Sequence, residues 1–226
     1  MKSALELAQE IASHPDVVRV LEALEGDRLY RGDVAYMPGL SSGMIRAGRL
    51  FDHIVSMLRG RQVKKIAVSG SDGRGWDDAR DFPTAAWPGV FWYLDELMAR
   101  DIFREEIVPI TMGPQRQSLQ ETEALLRQAN KEGWKTIVMV TVDYHRPRQV
   151  LGMVKQMKML GQRRLYFPSI PFDWSTEMLG SQNARTSTGA EEAFTDWNIK
   201  IPMYQEKGDL ASITEFNEYI KWRNTR

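Results

Sequence analysis

The sequence predicts an α/β fold, because short strand-like apolar runs alternate along the chain with segments of helical periodicity. Residues 136–142, apolar but for Thr136 and Thr141, form a run too short for a helix and suited to a strand buried on both faces. Between such runs, apolar side chains recur at helical spacing, as at Ile45, Leu50, Ile54, Met57 and Leu58. Turn residues punctuate the junctions, with Pro38-Gly39 after one run and Ser69-Gly70 after another.

The elements follow in order. Leu5, Leu7, Ala8 and Ile11, then Val17, Val18, Val20, Leu21 and Leu24, predict two opening helices within residues 1–26, divided at His14-Pro15. A strand over 33–37 precedes a helix over 42–58, and a second strand spans 64–69. The polar stretch SGSDGRGWDDARDFP has no periodicity and leads to an aromatic-rich helix that starts at Thr84 or Pro88 and reaches Arg100. A third strand covers 106–110. Ser118 reads as the N-cap of a helix ending at Gly133, with Glu121 at the capping-box position. The fourth strand, 136–142, passes through VDYHRPR into a helix ending near Gly161, with Pro147 in its first turn. A fifth strand over 164–168, a loop of about 20 residues and closing helices complete the chain. No linker or repeat interrupts it, so residues 1–226 read as one domain: a core over 30–170, N-terminal helices and a helical extension over 171–226.

About five strands joined by helices predict a parallel sheet with right-handed crossovers, a Rossmann-like three-layer sandwich. That topology gathers the strand-to-helix loops at one edge, where open α/β folds bind ligands. Two of these loops, around 70–84 and 169–189, are long for such connections.

Composition bounds the function. The 226 residues contain 30 Lys+Arg against 30 Asp+Glu, which removes the basic footprint of a dedicated nucleic-acid binder. The absence of cysteine excludes thiol nucleophiles, iron–sulfur clusters and Cys-ligated zinc. No apolar run approaches the roughly 20 residues of a membrane span, and Glu6, Glu10 and Asp16 are foreign to a signal peptide. The expectation is a soluble, cytoplasmic protein with a small-molecule partner and neither nucleic acid nor membrane.

PGLSSG, with Gly39, Ser41 and Ser42, is a small loop before a helix, a natural anion cradle or an ordinary turn and N-cap. Ser69, Gly70 and Ser71 repeat the device. Neither matches the dinucleotide or P-loop fingerprints. Asp72, Asp77, Asp78 and Asp81 fit no calcium loop, and no HExxH exists, so no metal is expected. The sharpest segment is Thr141-Val142-Asp143-Tyr144-His145-Arg146-Pro147-Arg148. There His145 can move protons near neutral pH and Arg148 offers a fork for phosphate or carboxylate. Glu121, Glu123 and Asp143 are the carboxylates placed to act as a base. Glu121 also reads simply as the capping partner of Ser118. Trp87, Phe91, Trp92 and Tyr93 read as core, and Phe172 and Trp174 as covers for a ligand.

These blocks resemble the YdcF/SanA/ElyC-like proteins, a bacterial domain family of unknown function. TVDYHRPR is similar to the family's "VTS-x-YH-x-x-R" hallmark, KKIAVSGSD to its "hydrophobic-SGG" strand, and QSLQETEALL to its "S-x-N-T-x-E-N" helix start. GDVAYMPGLSSGMIRAGRLFDHI resembles its opening block, and together they cover about residues 30–170. Ser69, Gly70, Ser118, Glu123, Thr141, Tyr144, His145 and Arg148 carry over cleanly. The Asn-Thr pair is replaced by Gln120-Glu121, and the Asn after the Glu by Ala124. The resemblance implies a polar pocket for a nucleotide-like or phosphorylated ligand, and S-adenosylmethionine is linked with the family's soluble branch. PGLSSG is not the acidic Gly-rich loop of a methyltransferase, so such binding need not mean methyl transfer. Three functions stay open: an enzyme on a phosphorylated or nucleotide-like molecule, a non-catalytic sensor of such a ligand, and a structural partner protein in which Arg148 and His145 merely brace the loop.

Overall fold

The computed structural model describes residues 3–25, 31–40, 44–45, 49–70, 89–111, 118–169, 177–179 and 186–226. Its centre is a five-stranded sheet built from β1 (Gly32–Met37), β2 (Val63–Gly70), β3 (Ile107–Thr111), β4 (Thr136–Val140) and β5 (Leu165–Ser169). The strand order is β3-β2-β1-β4-β5 and every neighbouring pair is parallel. Burial on both faces explains the continuous apolar runs: Val34 to Met37, Ile66 to Val68 and Ile137 to Val140 are all essentially inaccessible. Asp33 ties β1 to the start of β4, accepting from the N–H groups of Lys135 at 2.8 Å and Thr136 at 3.1 Å.

Helices cover the sheet. Right-handed crossovers require the helices after β1 and β2 to lie on one face and those after β3 and β4 on the other. The packing agrees: α3 (Leu50–Arg59) touches α4 (Val90–Met98), whereas α5 (Ser118–Glu132) touches α6 (Arg146–Met159). Described helix α3 begins at Leu50, not at Ser42, because Arg49 is left-handed at φ 47° and breaks any helix before it. Residues 84–88 lie outside the described residues, and α4 starts after Gly89. Gly133 stops α5: at φ 71° it lets Trp134 N–H reach back to the Ala129 carbonyl at 2.9 Å.

The ends of the chain form a further layer. α1 (Ala4–Ala12) and α2 (Pro15–Glu25) open it, split at the expected His14-Pro15. Beyond β5, the expected structureless loop contains a short antiparallel pair, β6 (Glu177–Leu179) with β7 (Thr186–Thr188). α7 (Gly189–Thr195), a π turn (Asp196–Lys200) and α8 (Ile201–Glu206) then run on without a break, and α9 (Ile213–Arg223) closes. α7 packs on α1 and on the 3-10 turn Asp143–His145, while α9 packs on α6 and α2. Arg223 seals the last contact by donating to the Ala23 carbonyl at 3.2 Å. No described helix is long and apolar enough to cross a membrane.

Candidate active site at the carboxyl edge of the sheet

Strand order reverses between β1 and β4, since the chain builds outward from β1 to β3 and then returns to β4 and β5. The carboxyl ends of β1 and β4 therefore diverge into loops on opposite sides, leaving the crevice where open α/β sheets take ligands. Pro38-Gly39-Leu40 leaves β1 here, Ser69-Gly70 ends β2, and Thr141–His145 leaves β4.

One buried polar cluster joins the ends of β1 and β2. Glu121, in the first turn of α5, is 5% exposed and accepts from Gly39 N–H at 2.5 Å and from the Ser69 hydroxyl. Tyr36 supports the same group, its hydroxyl 2.8 Å from Ser69 Oγ. Burial raises the Glu121 pKa above the usual carboxylate range, although these hydrogen bonds work against the rise. Tyr93 sits beside it, accepting from Leu40 N–H at 2.8 Å and donating to the Leu40 carbonyl at 2.9 Å. Gly70 allows α4 to approach: a Cβ there would stand 3.0 Å from the Val90 backbone nitrogen. The Glu121 carboxyl thus reaches across to the sheet.

A second cluster closes the end of β4. His145 and Arg148 share one face of the first turn of α6, with Arg148 Nη2 2.9 Å from His145 Nδ1. Gln149, one residue on, brings its side-chain amide to 2.8 Å from His145 Nε2. The counter-charge comes from the C-terminal segment. Asp196, 1% exposed, lies 3.2 Å from Arg148 Nη1, 3.5 Å from His145 Nδ1 and 3.1 Å from Lys200 Nζ. These are ion-pair distances; among the described residues neither Asp196 oxygen has a donor in hydrogen-bond geometry. Lys200 also reaches Glu192 at 3.6 Å. Burial, reinforced by the Arg148 charge, lowers the His145 pKa to about 4, so the ring is neutral at pH 7. Asp196 is driven the other way from burial by Arg148, His145 and Lys200, which hold its carboxyl at about 2.

Besides the two Asp196 oxygens, the Thr141 hydroxyl and Arg148 Nε are buried here without a hydrogen-bond partner among the described residues. Tyr144, 1% exposed, stacks edge-on against His145 with ring centres 6.2 Å apart.

The expected site residues divide accordingly. Gly39, Ser69, Gly70 and Glu121 meet at the ends of β1 and β2, and Thr141, Tyr144, His145 and Arg148 at the end of β4. The Ser69 hydroxyl is engaged with Glu121 and Tyr36, where it supports a carboxyl. Glu123 is removed from the site: it faces outward and pairs with Arg127 at 2.6 Å, one helical turn along α5. Ser41, Ser42, Ser71, Phe172 and Trp174 lie outside the described residues. Ser118 opens α5 and Asp143 the 3-10 turn after β4, each described for its backbone alone. The sequence reading missed Tyr36, Tyr93, Gln149, Asp196 and Lys200. Asp196 and Lys200 had a signal, being charged residues in helical phase with Ala193, Trp197 and Ile201.

Elsewhere, an open groove of about 580 Å³ between α3 and α4 is lined by Asp52, Arg59, Gly60, Arg100 and Asp101. Arg59, Gly60 and Asp101 lie where these helices end before β2 and β3, at the edge of the sheet opposite the site. No group of three His, Asp or Glu that would hold a metal exists among the described residues. Compared with known proteins, the chain matches no family model and no curated protein.

Proposed function

We propose that the chain is an enzyme acting on a phosphorylated or nucleotide-like small molecule, bound in a Rossmann-like crevice between β1 and β4. The observation that carries this reading is the pair of unmatched buried groups at the end of β4, Thr141 Oγ1 and Arg148 Nε. A buried polar group without a partner costs about 1–3 kcal/mol, and both are groups that a phosphate or ribose oxygen would satisfy. The ends of the neighbouring strands supply the proton chemistry. Glu121 resists ionisation and serves as the acid; His145 resists protonation, and its Nδ1 serves as the base once a ligand anion draws Arg148 Nη2 away from it. The resemblance to the YdcF/SanA/ElyC-like proteins supports the same ligand class, since TVDYHRPR contributes Thr141, His145 and Arg148 together.

A second reading is a non-catalytic binder of a nucleotide-like ligand such as S-adenosylmethionine. It is favoured by the engagement of both proton-handling groups, Glu121 with Gly39 and Ser69, and His145 with Arg148 and Gln149.

The test is a thermal-shift panel on wild type and Thr141→Val, which replaces the unmatched hydroxyl with a methyl of the same size. The panel holds nucleoside mono- and diphosphates, sugar phosphates, pyrophosphate, S-adenosylmethionine and S-adenosylhomocysteine. A ligand at 100 times its dissociation constant adds about 2.7 kcal/mol, several degrees in a chain of this size. The expected result is a shift in wild type that is reduced or lost in Thr141→Val, whose ligand-free melting point is unchanged or higher. A product detected by mass spectrometry after long incubation selects the enzyme; tight binding without product selects the second reading. A flat panel in wild type overturns both.

A further inference from the structure

We propose that Asp196 is a positioning residue of this site: it anchors the Arg148 guanidinium and, through it, fixes neutral His145 with its proton on Nε2. The argument rests on hydrogen-bond capacity. A guanidinium has five N–H donors and no acceptor, so the nitrogen it approaches most closely must carry a lone pair. Arg148 Nη2 stands 2.9 Å from His145 Nδ1 and 3.3 Å from Nε2. Nδ1 is therefore the acceptor, and the ring proton belongs on Nε2; the Gln149 amide nitrogen stands 2.8 Å from Nε2, and the amide turned over by 180° places its oxygen there to receive that proton. Asp196 selects this arrangement. At 3.2 Å it holds the other terminal nitrogen, Nη1, so the planar fork has one branch on the carboxylate and one on the imidazole.

The backbone around Asp196 is shaped for this task. Asp196–Lys200 is a π turn inserted between α7 and α8, an uncommon distortion found often at functional sites. Within it Asp196 and Lys200 both point inward, 1% and 6% exposed, against the first turn of α6. The upstream helix is pinned by a reciprocal cap between Thr188 and Glu191 and packs directly on the 3-10 turn that ends in His145. Among the described residues, the charged and titratable groups around the ring include Tyr144, Arg148, Glu192, Asp196 and Lys200. Of these, Asp196 is the carboxylate in direct reach of both Arg148 and His145. The inference rests on His145 and Arg148 belonging to the site, but it is tested without ligand, so its failure is distinct from that of a flat ligand panel.

The experiment is ¹⁵N–¹H correlation of the imidazole rings in ¹⁵N-histidine protein between pH 5.5 and 8. His14 and His53 serve as internal controls and His145→Gln assigns the third ring. Wild type is expected to show His145 as one neutral form with the proton on Nε2 across the range. Asp196→Asn, which keeps size but removes the charge, is expected to lose that single form, and Asp196→Glu to restore it at least in part. Lys200→Met, which leaves the Asp196–Arg148 pair in place, is expected to retain it. A wild-type ring protonated on Nδ1, with that proton directed at Asp196, overturns the proposal even if no variant folds. So does an Asp196→Asn protein that loses thermal stability while its His145 pattern is unchanged, the mark of a purely structural brace.

Discussion

Protonation of His145 should be a measurable route to acid unfolding. The folded ring binds a proton only at about 4, because it is buried and faces the Arg148 charge. In the unfolded chain a histidine titrates at about 6.5. Below that value the unfolded state holds more protons than the folded state, so acid favours unfolding and stability rises with pH through the interval. The linkage amounts to a few tenths of a kcal/mol at pH 7 and about 2 kcal/mol at pH 5. In a chain of this size each kcal/mol moves the midpoint by about 2–4 °C, so the His145 share of the loss is roughly 4–8 °C. The assay is urea or thermal unfolding of wild type and His145→Gln at pH 7 and pH 5. Comparing the two proteins cancels what they share, including Asp196, which titrates at about 2, and Glu121, whose linkage has the opposite sign. The variant should be less stable at pH 7 yet lose less on going to pH 5. Equal losses in both proteins would refute the reasoning, since they would mean that the folded ring protonates as freely as the unfolded one.

Other outcomes follow from the same geometry. The raised Glu121 pKa means that ionisation is resisted in the fold, so its contribution is greatest in acid and is lost as pH rises through the folded pKa. Glu121→Gln, which keeps an oxygen for Gly39 and Ser69, should therefore gain on wild type at pH 8 relative to pH 5 in urea titrations. Glu121→Ala leaves those two donors unmatched and should cost about 1–3 kcal/mol per orphaned group by the same measurement. Arg148→Met should cost about 3–5 kcal/mol, because Asp196 loses a buried counter-charge. Asp196→Asn added to it should cost less than the sum of the single changes, and simple additivity in the double-mutant cycle would show the two do not interact. Gly70→Ala, with its Cβ 3.0 Å from the Val90 nitrogen, should lower the melting point and weaken any ligand shift by displacing the start of α4.

The sheet was legible because parallel strands covered on both faces must be continuously apolar, and the runs around Val34–Met37 and Ile137–Val140 are. The helix expected over 42–58 is interrupted: Met44 and Ile45 are helical, but the apolar spacing does not register that Arg49 is left-handed, and the following helix starts at Leu50. Between Glu121 and Glu123 the sequence held the answer in its helical phase. Glu121 and Thr122 fall in line with the buried Leu125, Leu126 and Ala129, whereas Glu123 falls in line with exposed Arg127. Motif spacing alone had favoured Glu123. The helical phase of Asp196 marks it as buried, but its partners were beyond reach: His145 and Arg148 lie on another element, and nothing local says which buried cation a buried carboxylate will meet.

The packing of α1 on α7 has a dynamic consequence. α1 is a nine-residue helix, too short to hold its shape in water unaided, and it buries Leu7 and Ile11. Its ordering therefore depends on the surface that α7 offers, and undocking it strips α7 of one side of its support. Such a pair breathes as one cooperative unit at a free energy below that of global unfolding. Amides of α1, α7 and the π turn should then exchange with solvent at a common rate, faster than those of β1 and β4. Because α7 leads directly into Asp196, the frequency of that excursion sets how often water reaches the histidine.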